Sequence, residues 1–574
     1  MASEKKKRVT SADTQPAPAA PPVNQAARYR KLTWMIGIAL FALLYWVRLD
    51  RTVGMFMDDA WYALLGKALA SGHGYTLINS PTPGILPLYP PVYPALLALV
   101  FKLAPAFPEN VWLLKCVSIL AMAGAGWLTY VYFTRCREWN ATTALLVAAI
   151  TAFSPGLVFM ATASLMSECV FTALLLLALV AVERCAQRGT ILWAALAGLA
   201  CSLAFLTRSM AIGLIIAAIL YFLYQRRWRE LVTFAAVVVL LLGSWTLFTR
   251  ARKPTPAQRA EVNNYIVRPY NEQFWDRLAG YESQGSITLS ELPARLTSNL
   301  GSVFSSDAGG ILLPSFFPSL NQGLAERGNT MQLLLSLLVC GFVIAGYVTA
   351  CRERVTVAEL AFPLSLAIVI AWPFPPYRFL LPFLPLIAGY FLTGTRLLWR
   401  AHQKLNADNS TNFSQAGFSW MPLNVVAGLL LLVALIGHAN YLGRQYADFA
   451  TERPRMMRIF DEQEKVLRWA ASNLPKNEAI VTTNPALAHL YTGNATTTFD
   501  NPTAHWELWN QLGIRHLVQL SPTRLPEPNG PEKAYRITYR AGGELNLRVV
   551  DLGAPNARPK WGEAAGSNTI NLNN

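Results

Sequence analysis

The chain reads as a polytopic α-helical membrane protein of about eleven crossings, with a small extracytoplasmic α/β domain at its C-terminal end. Three observations predict this. Apolar runs near 20 residues recur along the 574 residues, and about 20 is the length a helix needs to cross a bilayer. Only 14% of residues are charged against 53% hydrophobic, where a soluble domain carries roughly 25% charged residues. Beyond residue 445 the pattern changes to short apolar segments alternating with helical ones, the mark of a small α/β module.

Taken in order, residues 1–30 are rich in Lys, Pro and Ala and predict a disordered basic tail. Lys5, Lys6, Lys7 and Arg8, then Arg28, Arg30 and Lys31, hold this end in the cytoplasm. With no small-residue cleavage site after it, the first apolar run is an uncleaved anchor. The predicted spans are 33–49, 111–133, 141–160, 166–182, 190–206, 209–224, 231–249, 330–350, 355–373, 379–398 and 421–441. Arg135 and Arg137, Arg184 and Arg188, Gln225 to Arg229, Cys351 to Arg354, and Arg396 to Lys404 follow spans that then all end on the cytoplasmic side. The stretch 88–104 would break that alternation. It opens with Pro87, Pro90, Pro91 and Pro94 and reads as a re-entrant or surface-lying helix. The resulting plan is a transmembrane domain over 31–444 with outer loops 50–110 and 250–329, a soluble domain over 445–553, and a flexible tail over 554–574. In the second loop 270–279 looks helical and 301–310 is rich in Gly and Ser. In the soluble domain helices are expected at 457–472, 485–491 and 504–512, and strands at 479–483, 495–499, 515–520, 535–540 and 545–552.

The formal charge of +16 does not signal nucleic acid, because the basic residues sit in short loops between apolar runs. The seven cysteines form no CxxC pair and avoid the long polar regions, so no disulfide framework is expected. Nucleotide-binding glycine motifs and HExxH are absent.

Chemistry is expected where charge meets the membrane surface. Asp58 and Asp59 follow the first span, and each reads either as a base or as a carboxylate at the start of the helix 60–70. Glu168 opens a span on the same side. Arg208, in the turn between two spans, and Arg378, at a proline-bent entry to another, lie outside, where positive charge is under-represented. A guanidinium there can grip phosphate through its planar fork or settle among lipid headgroups. Tyr62, Tyr89, Tyr93 and Tyr377 are candidates to line a groove for a lipid tail or sugar.

In order along the chain, Met57-Asp-Asp-Ala-Trp-Tyr62, Ala68 to Tyr75 (ALASGHGY), Pro90 to Pro94 (PPVYP), Ser164 to Glu168 (SLMSE), Leu206-Thr-Arg208 and Tyr377 to Pro385 (YRFLLPFLP) resemble the superfamily C (GT-C) membrane glycosyltransferases. The nearest branch holds the protein O-mannosyltransferases and the aminoarabinose transferases of lipid A. The resemblance covers roughly residues 30–400. It implies an enzyme of the bacterial cytoplasmic membrane that moves a sugar from a polyprenyl-phosphate donor to a protein, lipid or glycan acceptor on the outer face. It also implies that Asp58 is the catalytic base, with Asp59 at the following acidic position. A divalent cation, if one is used, would fall to Asp58, Asp59 or Glu168. The sequence departs from the aminoarabinose transferases where they carry Glu-Lys before the proline turn; Leu88 and Tyr89 stand here. The donor phosphate then needs other cations, Arg378 and Arg208. The rival class is a transporter or flippase of a lipid-linked sugar, but paired halves and broken midplane helices are not evident.

Overall fold

A computed structural model describes residues 23–262, 265–280, 284–320, 328–407, 421–451, 455–499, 502–521, 536–543, 545 and 547–553. The expected tails at 1–22 and 554–574 lie outside them. Residues 23–47 form a unit of their own, dominated by the helix Val23–Arg48. That helix begins inside the segment expected to be disordered, so residues 23–30 are helical. No proline falls between Val23 and Arg48 to interrupt the i to i−4 ladder.

In the larger unit every predicted span coincides with helix. Six helices there are long and apolar enough to cross a bilayer: Val111–Arg135, Glu168–Arg188, Trp228–Ala251, Thr330–Glu353, Tyr377–Arg400 and Leu423–Arg444. With Lys31–Arg48 the total among the described residues is seven. It becomes eight if Ala141–Ala152 and Pro155–Thr162, bent by 46° at Ser154–Pro155, act as one span. Ile191–Phe205, Ser209–Tyr224 and Val357–Ala371 are shorter. At 1.5 Å per residue a 15-residue helix reaches only about 22 Å. The helix Trp228–Ala251 turns Val232, Val239, Leu240 and Leu247 outward. Such a surface is stable only against lipid, and the chain is a multi-pass membrane protein. Two of its helices meet through glycine. A methyl group at Gly346 would overlap the carbonyl oxygen of Tyr390, and one at Gly394 that of Phe342. Small residues at such crossings let backbones approach closely.

The stretch 88–104 contains a 12-residue helix, Val92–Leu103, too short to span, with Tyr93, Leu97 and Phe101 buried. The helix expected at 270–279 shrinks to Tyr270–Gln273. The backbone then folds into a turn whose Asp276 carboxylate is gripped at both oxygens by Arg268, at 3.0 and 3.1 Å. The Gly/Ser-rich segment 301–310 is helical: Leu292–Ser302 continues through a π-turn, Val303–Asp307, into Ala308–Leu312.

The C-terminal domain follows the expected order. Strands β1 (Ile480–Thr482), β2 (Thr496–Thr498), β3 (His516–Gln519), β4 (Arg536–Arg540) and β5 (Arg548–Asp551) form one sheet in the order β2-β1-β3-β5-β4. β1 pairs in parallel with β2 and β3, and β5 runs antiparallel to β3 and β4. Val481, Trp509, Ile514, Leu517, Val550 and Leu552 make its core. The edge strand β2 is covered by the two long loops that carry Asn79 and Glu261. Thr496 N–H donates to Asn79 O at 2.7 Å, and Asn79 Nδ2 donates to Thr496 Oγ1 at 2.9 Å. Thr497 Oγ1 donates to Glu261 O at 2.8 Å.

Candidate active site

The site is built on the strap leading into the helix Asp58–Ala70. Asp50 and Thr52 begin that strap and are pinned to the end of Pro155–Thr162. The fully buried Lys115 ammonium donates to Asp50 Oδ1 at 2.5 Å and Thr162 O at 2.9 Å. Gly54 follows at φ +100°, a conformation glycine adopts without strain, and packs against Leu487 and Asn484 of the C-terminal domain. Met57 then takes φ 57° and ψ −45°, closing a γ-turn in which Asp58 N–H donates to Phe56 O at 2.6 Å. This hand of γ-turn is rare and strained for a side-chain-bearing residue, and strain of this kind concentrates at functional sites. The turn presents the next side chain, Asp58, to the pocket. Asp58 is the first residue of the helix, and Met57, not Asp58, occupies the capping position.

Three partners meet the Asp58 carboxylate. Tyr265 and Tyr89 hydroxyls both donate to Oδ1, at 2.5 and 2.6 Å, and Arg378 Nη2 donates to Oδ2 at 3.2 Å. Arg378 Nε lies 3.0 Å from Glu168 Oε1, and Arg208 Nη1 reaches the same oxygen at 3.0 Å. These two contacts have ion-pair distance without the in-line geometry of a hydrogen bond. Arg208 also donates to Ser167 Oγ at 3.1 Å, which sits 3.2 Å from the Tyr62 hydroxyl. Rings of Phe56, Phe374 and Phe379 surround the Arg378 guanidinium at 5.2–5.7 Å, and Phe379 also faces Arg208 at 5.3 Å. The charges balance: Asp58 and Glu168 against Arg378 and Arg208. Such a closed set tolerates the low dielectric that burial imposes.

The structure separates the other sequence candidates. Tyr89 and Tyr62 stack at 4.7 Å beside Asp58, and burial pushes both phenols above their usual range. Tyr93 is fully buried with its hydroxyl 3.2 Å from Ser118 Oγ, and Tyr377 packs against Gly156 and Gly310. Both serve packing, so the groove expected of them is not formed by their side chains. Asp59 is buried, and its carboxylate accepts from the Gly54 and Ala60 amides at 2.9 Å each. Burial raises its pKa to about 6. Asp58, Asp59 and Glu168 do not fit a divalent cation. Asp58 and Glu168 are engaged by arginines and Asp59 by amides, and among the described residues no three His, Cys, Asp or Glu side chains cluster as ligands.

Tyr265 and Tyr270 join the site without a signal in the sequence. Tyr265 lies 207 residues from Asp58, in a polar loop where an aromatic residue carries no local signal. Tyr270 sits near Arg208 and Asp58, and burial pushes its phenol to about 12.

Comparison with known proteins agrees with this architecture. Residues 89–248 match the model of the dolichyl-phosphate-mannose-protein mannosyltransferase family. Over 235 residues the chain is 29% identical to the undecaprenyl phosphate-alpha-4-amino-4-deoxy-L-arabinose arabinosyl transferases of Pseudomonas paraeruginosa and of a Pseudomonas aeruginosa strain. The match takes in 39% of this chain and spans 42% of the relatives' own length. The ArnT structure from Cupriavidus metallidurans bound to undecaprenyl phosphate superposes with a TM-score of 0.53 at 14% identity, over 92% of this chain and 99% of that one. The chain has the GT-C fold. The oligosaccharyltransferase of Archaeoglobus fulgidus in its apo form shares the GT-C fold at a TM-score of 0.51 and 13% identity, over 84% of this chain and 69% of that one.

Proposed function

We propose that the protein is a membrane glycosyltransferase. It moves a sugar from a polyprenyl-phosphate donor to a protein, lipid or glycan acceptor at the outer face of the cytoplasmic membrane. The observation that carries this reading is the Asp58–Arg378 pair at 3.2 Å, extended through Glu168 to Arg208. A carboxylate beside two guanidiniums supplies what glycosyl transfer from a phosphate carrier needs, a proton acceptor and a home for a leaving anion.

In this reading Asp58 accepts the proton of the attacking hydroxyl or amine. The acceptor atom bonds to the anomeric carbon as the bond from that carbon to the phosphate oxygen breaks. The electron pair leaves on the phosphate, which Arg378 and Arg208 neutralise. Glu168 holds the two guanidiniums together. Tyr89 and Tyr265 fix the carboxylate, and the buried surroundings strengthen each charge interaction. Asp59 acts through the backbone, tying Gly54 to the start of the helix. The C-terminal domain, by fixing the outer loops, shapes access for the acceptor.

The test uses purified protein with radiolabelled polyprenyl-phosphate sugars in proteoliposomes. Label should pass to an acceptor, and Asp58→Asn should abolish transfer while leaving folding intact. Movement of intact donor across the bilayer without transfer would make the protein a flippase, and full activity of the Asn variant would remove Asp58 as the base.

A further inference from the structure

The C-terminal domain presses on the strap ahead of Asp58 at Gly54. A β-carbon placed on Gly54 would lie 2.8 Å from Leu487 Cδ2 and 3.1 Å from Asn484 Nδ2. Leu487 and Asn484 are both buried, and both are held in place. Asn484 Oδ1 accepts from the Leu487 amide at 3.2 Å and caps the helix Pro485–Thr492. Thr496 Oγ1 of β2 donates to Pro485 O at 3.0 Å. The location has a topological reason. In the order β2-β1-β3 the chain leaves β1 to one side and returns to the other. The carboxyl ends of strands at such a reversal are where open α/β sheets seat their ligands. Here Asn484, just past β1, seats the strap.

Gly54 is also one end of a closed loop. Its N–H donates to Asp59 Oδ2 at 2.9 Å, and Asp59 Oδ1 accepts from the Ala60 amide at 2.9 Å. Asp58 lies inside the loop that the first bond closes, directly after the γ-turn at Met57. A strained turn of that kind persists only while its surroundings impose it. The Gly54–Asp59 bond is one such restraint, and it holds only while the Gly54 amide stays within reach of the carboxylate. Leu487 and Asn484 occupy the space beside the Gly54 α-carbon and block movement in that direction. Without them the loop gains freedom, and Asp58 loses its fixed distance to Arg378 and the two tyrosines.

We propose that Leu487 and Asn484 are positioning residues for Asp58. By pressing on Gly54 they keep the Gly54–Asp59 bond closed and so aim the Asp58 carboxylate into the site. This rests on the reading of Asp58 as the base. The C-terminal domain is then part of the catalytic machinery, and it acts through the backbone of residues 54–59.

Two measurements on the full-length protein test this. Hydrogen exchange read by mass spectrometry over a peptide spanning 53–61, in detergent, follows the loop without requiring turnover. In Leu487→Ala the amides of Gly54, Asp58 and Ala60 should exchange about tenfold faster or more, as a locally opened segment does. Val481→Ala thins the core of the same domain but keeps both atoms that meet Gly54, and it should leave those amides at the parent's rate. Leu487→Val, a smaller truncation, takes the place of the alanine variant if that one does not fold. Unchanged exchange in the Leu487 variant, or equal acceleration in Val481→Ala, overturns the proposal. Turnover of a polyprenyl-phosphate sugar in proteoliposomes reads the consequence. Leu487→Ala and Asp59→Ala should each lower kcat roughly 10–100-fold, the effect of a misplaced reacting group, with the donor KM within about twofold of the parent's. Because both break one link, the double variant should fall no more than about threefold below the worse single. Losses that multiply, or a change in KM alone, overturn the proposal. Faster exchange in Leu487→Ala with no transfer by the parent would refute the proposed function and not the link between Leu487 and the loop.

Discussion

Removing Arg378 separates two roles that the geometry superimposes, balancing Glu168 and Asp58 and stabilising a leaving phosphate. The guanidinium lies 3.2 Å from Asp58 and 3.0 Å from Glu168. Arg378→Gln leaves the cluster with one cation for two carboxylates, of which Glu168 is fully buried. Unpairing a buried charge costs about 3–5 kcal/mol, so the thermal midpoint in detergent should fall clearly. Losing a positioned donor to a developing anion costs about 10²–10³-fold in kcat. The double variant Arg378→Gln/Glu168→Gln restores the balance, with Asp58 against Arg208. It should recover most of the stability and little of the activity. The assay is turnover of a polyprenyl-phosphate sugar in proteoliposomes, beside a thermal melt followed by a thiol-reactive or scattering signal. If the double variant regains turnover to within about threefold of the parent, Arg378 only neutralises its neighbours and the phosphate role is wrong.

Further outcomes follow from other parts of the fold. Burial raises the Asp59 carboxyl from 3.8 to about 6, so between those values the folded protein holds more protons than the unfolded chain. Its contribution to stability therefore falls as pH rises through that window. Asp59→Asn should flatten the stability–pH curve between about pH 4 and 6; an unchanged slope would exclude Asp59 as its source. Gly394→Ala places a methyl group against the Phe342 carbonyl oxygen and should cost about 1–3 kcal/mol by overpacking, read as a lower melting midpoint; a midpoint equal to the parent's would mean the two helices can part without loss. Lys115→Met strips the ammonium from Asp50, loosening the strap ahead of Asp58. It should lower both the midpoint and kcat, and adding Asp50→Asn should recover the midpoint; failure of that rescue would show that the ion pair is not what anchors the strap.

Much of this architecture was legible as hydrocarbon. A run such as 231–249 can only be a helix facing lipid, and Trp228–Ala251 is one. The charges at span ends were legible for the same reason: Asp58, Glu168, Arg208 and Arg378 are conspicuous where polar groups are costly. What stayed hidden depends on contacts distant in sequence. Tyr265 and Lys115 look like an ordinary loop aromatic and a stray basic residue until the chain brings them to Asp58 and Asp50. The carboxylates at 58 and 59 are adjacent in sequence yet differ in surroundings, because a γ-turn aims one at arginine and the other at backbone amides. The Gly/Ser-rich stretch 301–310 shows no helical signal of its own, and packing against Thr330–Glu353 sustains its helix: Gly309 lies against Ser336, whose hydroxyl accepts its amide hydrogen at 3.1 Å.

The seal over β2 has a consequence for biogenesis. Asn79 and its partner Thr496 are separated by 417 residues, so the first loop stays ajar until nearly all of the polypeptide has been synthesised. A nascent chain halted before that point carries Asp58 and its arginines on an unclosed scaffold. Closure of the first loop thus waits on β2, which joins the ordering of the pocket to the folding of the distal sheet.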